Sequence, residues 1–192
     1  MPRLIASSVV ENRDIRQAAL ISAAQDIAAD QGVAAVTVAA VAKRAGLSRS
    51  SVYAYFDSAA DLLADVIADE LDAMCEALAA AVSGVTDPAE VISRWMESSL
   101  VYIADGRHAL VRSAGQVDLP PTRRAQIGDL HRQLMNPLVA ALASAGVADA
   151  ARAAAQVAAV LDVAVRRVEA GHDAHAETAA ALSFALRGLR LA

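Results

Sequence analysis

One short stretch of the chain concentrates side chains suited to gripping a polyanion. Arg49-Ser50-Ser51-Val52-Tyr53-Ala54-Tyr55 carries a guanidinium, two aliphatic hydroxyls and two phenols within seven residues. A guanidinium can donate two parallel hydrogen bonds to a guanine edge, and hydroxyls can donate to phosphate oxygens. If the stretch is a helix, Val52 and Phe56 lie one turn apart on its inner face. Arg49, Ser50, Ser51, Tyr53 and Tyr55 are then left largely outward. Ser48 stands at the N-cap position, so the helix would also aim free backbone N–H groups at an anion. The chemistry implied is recognition of duplex DNA. The plainer possibility is a helical hairpin with a solvated outer face.

Competing chemistry is sparse. The sequence has no phosphate-binding G-x-x-x-x-G-K, no G-x-G-x-x-G, no G-x-S-x-G and no H-E-x-x-H. His172-Asp173-Ala174-His175 sets two histidines three apart beside an aspartate, a spacing a metal can use. That segment sits at an interhelical turn, where Asp173 is explained as a cap and the histidines as solvated. His108 and His131 follow or flank arginines and show no partner. The single Cys75 excludes an intramolecular disulfide and a multi-cysteine zinc site, and reads as a small apolar residue on a helix. No enzyme, cofactor or metal is expected.

The elements that must position the polar stretch can be read on either side of it. Residues 37–63, TVAAVAKRAGLSRSSVYAYFDSAADLL, suit two short helices joined by a tight turn. Thr37 can cap the first or reach a phosphate. Val38, Val41, Ala42 and Ala45 form its inner face. Ala42 is small enough for the next helix to cross closely, Gly46 permits a positive φ, and Leu47 plugs the corner. A preceding helix is expected over residues 13–31, with Ile15, Ala19, Ala23, Ile27 and Ala28 as its stripe and Leu20 and Ala24 flanking. Gly32 ends it. The first fourteen residues read as a partly disordered arm, with an apolar patch too short for a signal peptide. A long fourth helix should start at Ser58, whose S-x-x-D pattern with Asp61 is a cap, and run to about residue 81.

Composition agrees with an all-α chain. It has 192 residues, is 56% hydrophobic and only 3% aromatic, and is dominated by alanine. About nine helices are expected. They would form an N-terminal three-helix, helix-turn-helix DNA-binding domain over residues 1–57 with its arm, then a helical bundle over residues 58–192 for ligand binding and dimerisation. The net charge of −5 argues against a general nucleic-acid binder. Its distribution does not: residues 1–56 hold six basic and four acidic side chains, a net +2, and the remainder holds 11 and 18, a net −7. A basic head on an acidic body suits DNA contact at one end, and so modest a charge favours a dimer. No apolar run is long enough to cross a membrane, and the cytoplasm is the default compartment.

The body reads as stacked helices. Asp87-Pro88-Ala89-Glu90 starts a fifth helix carrying Trp95, Met96, Ser99 and Tyr102. A short sixth is expected over residues 107–116. A seventh runs to about residue 145 with Leu134 and Leu138 on its apolar side, and Pro137 should kink it or end its first part. That kink is a pocket signal. Asp162, inside an apolar run, either pairs with Arg166 one turn later or points into a cavity or across a dimer. The last two helices, residues 150–170 and 174–189, have broad Ala- and Val-rich faces. One face packs within the chain, and the other suits self-pairing through Ala158, Val165, Leu182, Ala185, Leu186 and Leu189.

Residues 37–63 with the preceding helix resemble the DNA-binding domain of the TetR family of transcriptional regulators. Thr37, the AKRAGLS run from Ala42 to Ser48, VYAYF from Val52 to Phe56, Ser58 and Leu62-Leu63 carry the resemblance. It implies a homodimer, a palindromic operator, and release of DNA when a small molecule binds the larger domain. It also implies phosphate contacts from Thr37, Ser48, Ser51, Tyr53 and Tyr55, and base-edge contacts from Arg49 and Ser50. Lys43 and Arg44 fall where the family often has basic residues. Ala59 departs from the family, which often has a phosphate-binding lysine there; Arg3, Arg13 and Arg16 are candidates to compensate. In the family the helix holding Trp95, Met96, Ser99 and Tyr102 usually lines a cavity.

The expected function is therefore a repressor released from its operator by a small, largely apolar effector. Two other classes remain: a helical carrier or enzyme with a vestigial DNA-binding head, and a DNA-binding protein that answers to a protein partner instead of an effector.

Overall fold

The computed structural model describes residues 2–104 and 117–191, with side chains from Asn12 onward. Among the described residues there are eight α-helices and no strand. In chain order they are α1 (Pro2–Gln31), α2 (Val38–Arg44), α3 (Arg49–Tyr53), α4 (Ala59–Val82), α5 (Pro88–Ala104), α6 (Pro121–Ser144), α7 (Ala150–Glu169) and α8 (Ala174–Leu189), with a single 3₁₀ turn at Val33–Ala35. The helix expected over residues 107–116 lies outside the described residues.

The starts of these helices follow from side chains that accept from otherwise unpaired N–H groups. Thr37, Ser48 and Ser58 each accept from the backbone N–H three residues on, at 3.1 Å. Asp87, Asp149 and Asp173 do the same at 2.9, 3.0 and 2.8 Å. The N-terminus departs from the expected arm, because α1 already begins at Pro2. Proline is well suited to a first helical position, and no glycine or proline interrupts the chain from there to Gln31.

The chain divides into two compact units, Met1–Asp69 with Ala109–Ile127, and Glu70–His108 with Gly128–Ala192. The first unit packs α1, α2, α3 and the start of α4 around Leu20, Ala24, Val41, Val52, Phe56 and Leu62. The expected stripe of α1 holds in its second half and fails in its first. Ala23, Ile27 and Ala28 are buried, together with the flanking Leu20 and Ala24, whereas Ile15 is 61% exposed and Ala19 is exposed. Gln17 of α1, Asp61 and Asp65 of α4 and Arg123 of α6 form a polar clasp inside this unit. Arg123 Nε lies 2.7 Å from Asp61 Oδ1 and its Nη1 2.8 Å from Asp65 Oδ1, and Gln17 donates to Asp65 at 3.3 Å.

The second unit is built on Trp95, Met96 and Ile92 of α5, Leu71 and Leu78 of α4, and Leu138 and Leu142 of α6, all essentially inaccessible. Trp95 Nε1 donates to the Leu134 carbonyl at 3.1 Å, three residues before Pro137. The helix does not end near Pro137 as one expectation had it; α6 continues to Ser144. The helices α7 and α8 pack on each other and both pack on α5.

Candidate nucleic-acid interface

The geometry around α3 begins with the turn. Gly46 adopts φ +67°, and the Leu47 N–H returns to the Ala42 carbonyl at 2.9 Å. Ala42 itself is buried where α2 and α3 meet. Val52 and Phe56, at 0% and 1% exposure, fasten α3 from beneath. This leaves Ser48, Arg49 and Ser50 exposed at its N-terminal end, Ser51 half-buried and Tyr53 exposed. Thr37 is exposed at the start of α2. Ser48 Oγ is also 2.8 Å from the hydroxyls of both Ser50 and Ser51, so three hydroxyls are gathered beside the helix start.

The basic residues fall into two groups. Arg44 is exposed but held by carboxylates of its own unit. Its Nε and Nη2 donate to Asp26 Oδ2 at 3.2 and 3.0 Å, and its Nη1 to Asp30 Oδ2 at 3.0 Å. Hydrogen bonds to Asp30 and then Asp26 hold its guanidinium above its ordinary pKa, so the cation is fixed and locally neutralised. Lys43 and Arg49 are exposed, and no ion pair engages either among the described residues. Arg13 of α1, also exposed, sits with its guanidinium carbon 5.3 Å from the centroid of the Tyr55 ring. The clamp on Arg44 escaped the sequence reading, although Asp26 and Asp30 stand four apart and so share one face of a helix.

The residues expected to line an effector cavity occupy the second unit. Trp95, Met96, Leu134, Leu138 and the Ser99 side chain are buried in its core, and Ser99 Oγ donates to the Trp95 carbonyl at 2.7 Å. Tyr102 is buried with its hydroxyl donating to the Glu70 carboxylate at 3.1 Å. Asp162 pairs with Arg166 one turn along α7. None of these lines the open groove of about 440 Å³ between α5, α7 and α8, whose walls include Leu100, Val101 and Leu182 with Glu97 and His175.

The residues expected at a dimer contact are split. Val165 and Ala185 are buried inside the unit, and Ala158, Leu182, Leu186 and Leu189 are half-buried. Val163 and Phe184 are the large apolar side chains left exposed on α7 and α8, Phe184 at 70%. A second groove of about 420 Å³ runs between these helices beside Phe184 and Leu189. Asp173 caps α8 and His172 lies 3.5 Å from Arg167. Among the described residues no group of three or more His, Cys, Asp or Glu is placed to hold a metal ion, and no helix is long and apolar enough to cross a membrane.

Comparison with known proteins bears on the same elements. Residues 20–66 match the model for bacterial regulatory proteins of the tetR family. No curated protein matches the chain. Among solved structures, a TetR-like transcriptional regulator from a Rhodococcus species is 26% identical, with a TM-score of 0.71 over 91% of this chain and 96% of that one. The TetR family transcriptional regulator PfmR from Thermus thermophilus is 25% identical, with a TM-score of 0.70 over 88% and 97%. The Bacillus subtilis transcriptional regulator FadR, solved in complex with stearoyl-CoA, shares the fold at 19% identity, with a TM-score of 0.74 over 88% and 97%. The matched segment holds Thr37, α2 and α3, and the fold shared with these regulators extends over most of the chain, so the chain is similar to the tetR family of bacterial regulatory proteins both in this segment and in its overall architecture.

Proposed function

We propose that the protein is a cytoplasmic repressor that binds a palindromic operator as a homodimer and leaves it when a small, largely apolar effector binds. Residues 1–57 would be the DNA-binding domain and residues 58–192 the effector and dimerisation domain. The observation that carries the reading is the end of α3. Arg49 and Ser50 are exposed at its capped N-terminus, while Val52 and Phe56 fix its inner face. In a major groove, Arg49 and Ser50 read base edges. Thr37, Ser48, Ser51, Tyr53 and Tyr55 hold phosphates, and Lys43 adds a free cation. Arg44, bound to two carboxylates, acts within the unit instead. Two heads read half-sites about 34–36 Å apart, or a multiple of that.

For the dimer, a second copy covers the outer face of α7 and α8. Val163 and Phe184 are exposed there, with Leu186 and Leu189 at its edge. For the effector, the groove walled by Leu100, Val101 and Leu182 supports an apolar body, with Glu97 and His175 available to a polar end. FadR from Bacillus subtilis, of the same fold, was solved with stearoyl-CoA, itself a long apolar chain on a polar group.

The test is selection of binding sequences from random duplex DNA, with Arg49→Ala run in parallel. Wild type should return a two-fold symmetric site. The variant should lose discrimination at one position per half-site by about 5- to 150-fold, the range of one bidentate base contact. An unchanged sequence preference in Arg49→Ala would remove the assignment of base readout, and a selection that returns no common sequence would remove the reading itself.

A further inference from the structure

The cations of the first unit can be sorted by what already occupies them. Arg44 is bound by Asp26 and Asp30, Arg123 by Asp61 and Asp65, and Arg124 by Asp118. Arg13 is different. Its recorded contact is the face of the Tyr55 ring, and no carboxylate pairs with it among the described residues.

That contact has a specific consequence. A guanidinium over a ring is attracted by the π face and loses rotamer freedom, yet the ring takes up none of its charge, and its five N–H donors exceed what one ring face can accept. The cation is therefore positioned without being neutralised. Tyr55 is two residues past the end of α3, and its N–H bonds to the Val52 carbonyl at 2.9 Å. The ring is thus tied to the same turn that anchors α3. Arg13, 42 positions earlier in the chain, is held beside the residues that directly follow α3, the helix on which Arg49, Ser50 and Tyr53 are exposed. The first turn of α4, which follows directly, offers no cation of its own, since Ala59 and Ala60 precede Asp61.

We infer that Arg13 is a DNA phosphate-binding residue of this protein, seated by the ring of Tyr55. This rests on the DNA-binding reading above. It divides the work of Tyr55 in two: the ring positions a cation, and the hydroxyl is free for its own contact. Such a contact is indifferent to base sequence and releases counterions on binding.

The experiment measures binding against salt for wild type, Arg13→Gln, Arg13→Lys and Tyr55→Phe, on a selected duplex and on a random-sequence duplex of equal length. Arg13→Gln should flatten the slope of log K against log salt by about 0.9 per bound subunit on both duplexes. Over a fourfold rise in salt the variant then loses about 3.5-fold less affinity per subunit than wild type. Arg13→Lys and Tyr55→Phe should keep the wild-type slope, the one by preserving the charge and the other the ring. A wild-type slope in Arg13→Gln, with Arg49→Ala still impaired on the selected duplex, overturns the inference and leaves the reading intact. Reduced affinity at an unchanged slope overturns it too, since that is the mark of a purely structural role. Failure of the wild-type protein to prefer any duplex removes the reading and this inference together.

Discussion

Replacing Arg123 by methionine should weaken the first unit by an amount that grows with pH. The substitution keeps an unbranched apolar stem and removes the cation that faces Asp61 and Asp65. The three side chains are 28%, 16% and 15% exposed, which places the clasp between a buried pair and a surface pair. Breaking a fully buried pair costs about 3–5 kcal/mol, and an exposed pair contributes about 0–1 kcal/mol. A loss of about 2 kcal/mol is the corresponding middle value, and for a chain of this size it lowers Tm by about 4–8 °C. The pH dependence follows from Asp65. Burial pushes its carboxyl above the usual aspartate range, and Arg123 pulls it back down. Without Arg123 it rises further. A folded pKa above the unfolded one gives stability that is fully present below the unfolded pKa and is lost as pH rises through the folded one. Thermal melts followed by circular dichroism should show the smallest deficit in acid and the largest near neutrality. Adding Asp65→Asn should recover part of the loss by removing the stranded charge. A Tm within about 1 °C of wild type at neutral pH, or a deficit that does not change with pH, would refute the reasoning.

Ser48→Ala removes the cap of a five-residue helix and should cost about 1 kcal/mol in urea unfolding. It should also weaken operator binding more than Ser83→Ala, a change in the turn after α4, in a matched titration. Phe184→Glu puts a charge on the exposed apolar face of α7 and α8, so sedimentation should change from dimer to monomer with helicity preserved. Burial holds the Cys75 thiol above its ordinary pKa. Alkylation by iodoacetamide at pH 8 should therefore be slower in the native protein than in urea, and equal rates would contradict that environment.

How much was legible in the sequence depended on how far apart the interacting residues lie. The caps at Thr37, Ser48, Ser58, Asp87 and Asp173 obey rules that act over three residues, and each is present as read. Val52 and Phe56 were legible because one turn of helix separates them and the residues between are polar or small. The stripe of α1 was less so. Alanines surround both candidate faces, and only packing decides that Leu20 is covered and Ile15 is not. The same alanine bias hid which faces of α7 and α8 are used inside the unit, so Val165 and Ala185, expected at a surface, are interior. The clamp of Arg44, the clasp of Arg123 and the stacking of Arg13 each join residues 14 to 62 positions apart. Such pairings arise only from how helices cross.

The clamp on Arg44 bears on how a regulator finds its target among competitors. A chromosome offers about 10⁶–10⁹ non-specific sites, and affinity for them comes almost entirely from protein cations that neutralise phosphates and release their counterions. Asp26 and Asp30 withhold one such cation from every stretch of DNA alike. The contacts proposed to depend on sequence, at Arg49 and Ser50, are left untouched by that arrangement. Lowering the first term without the second raises the ratio between target and background. Fewer molecules are then held idle along the chromosome, and a smaller number of copies per cell suffices to keep the intended site occupied.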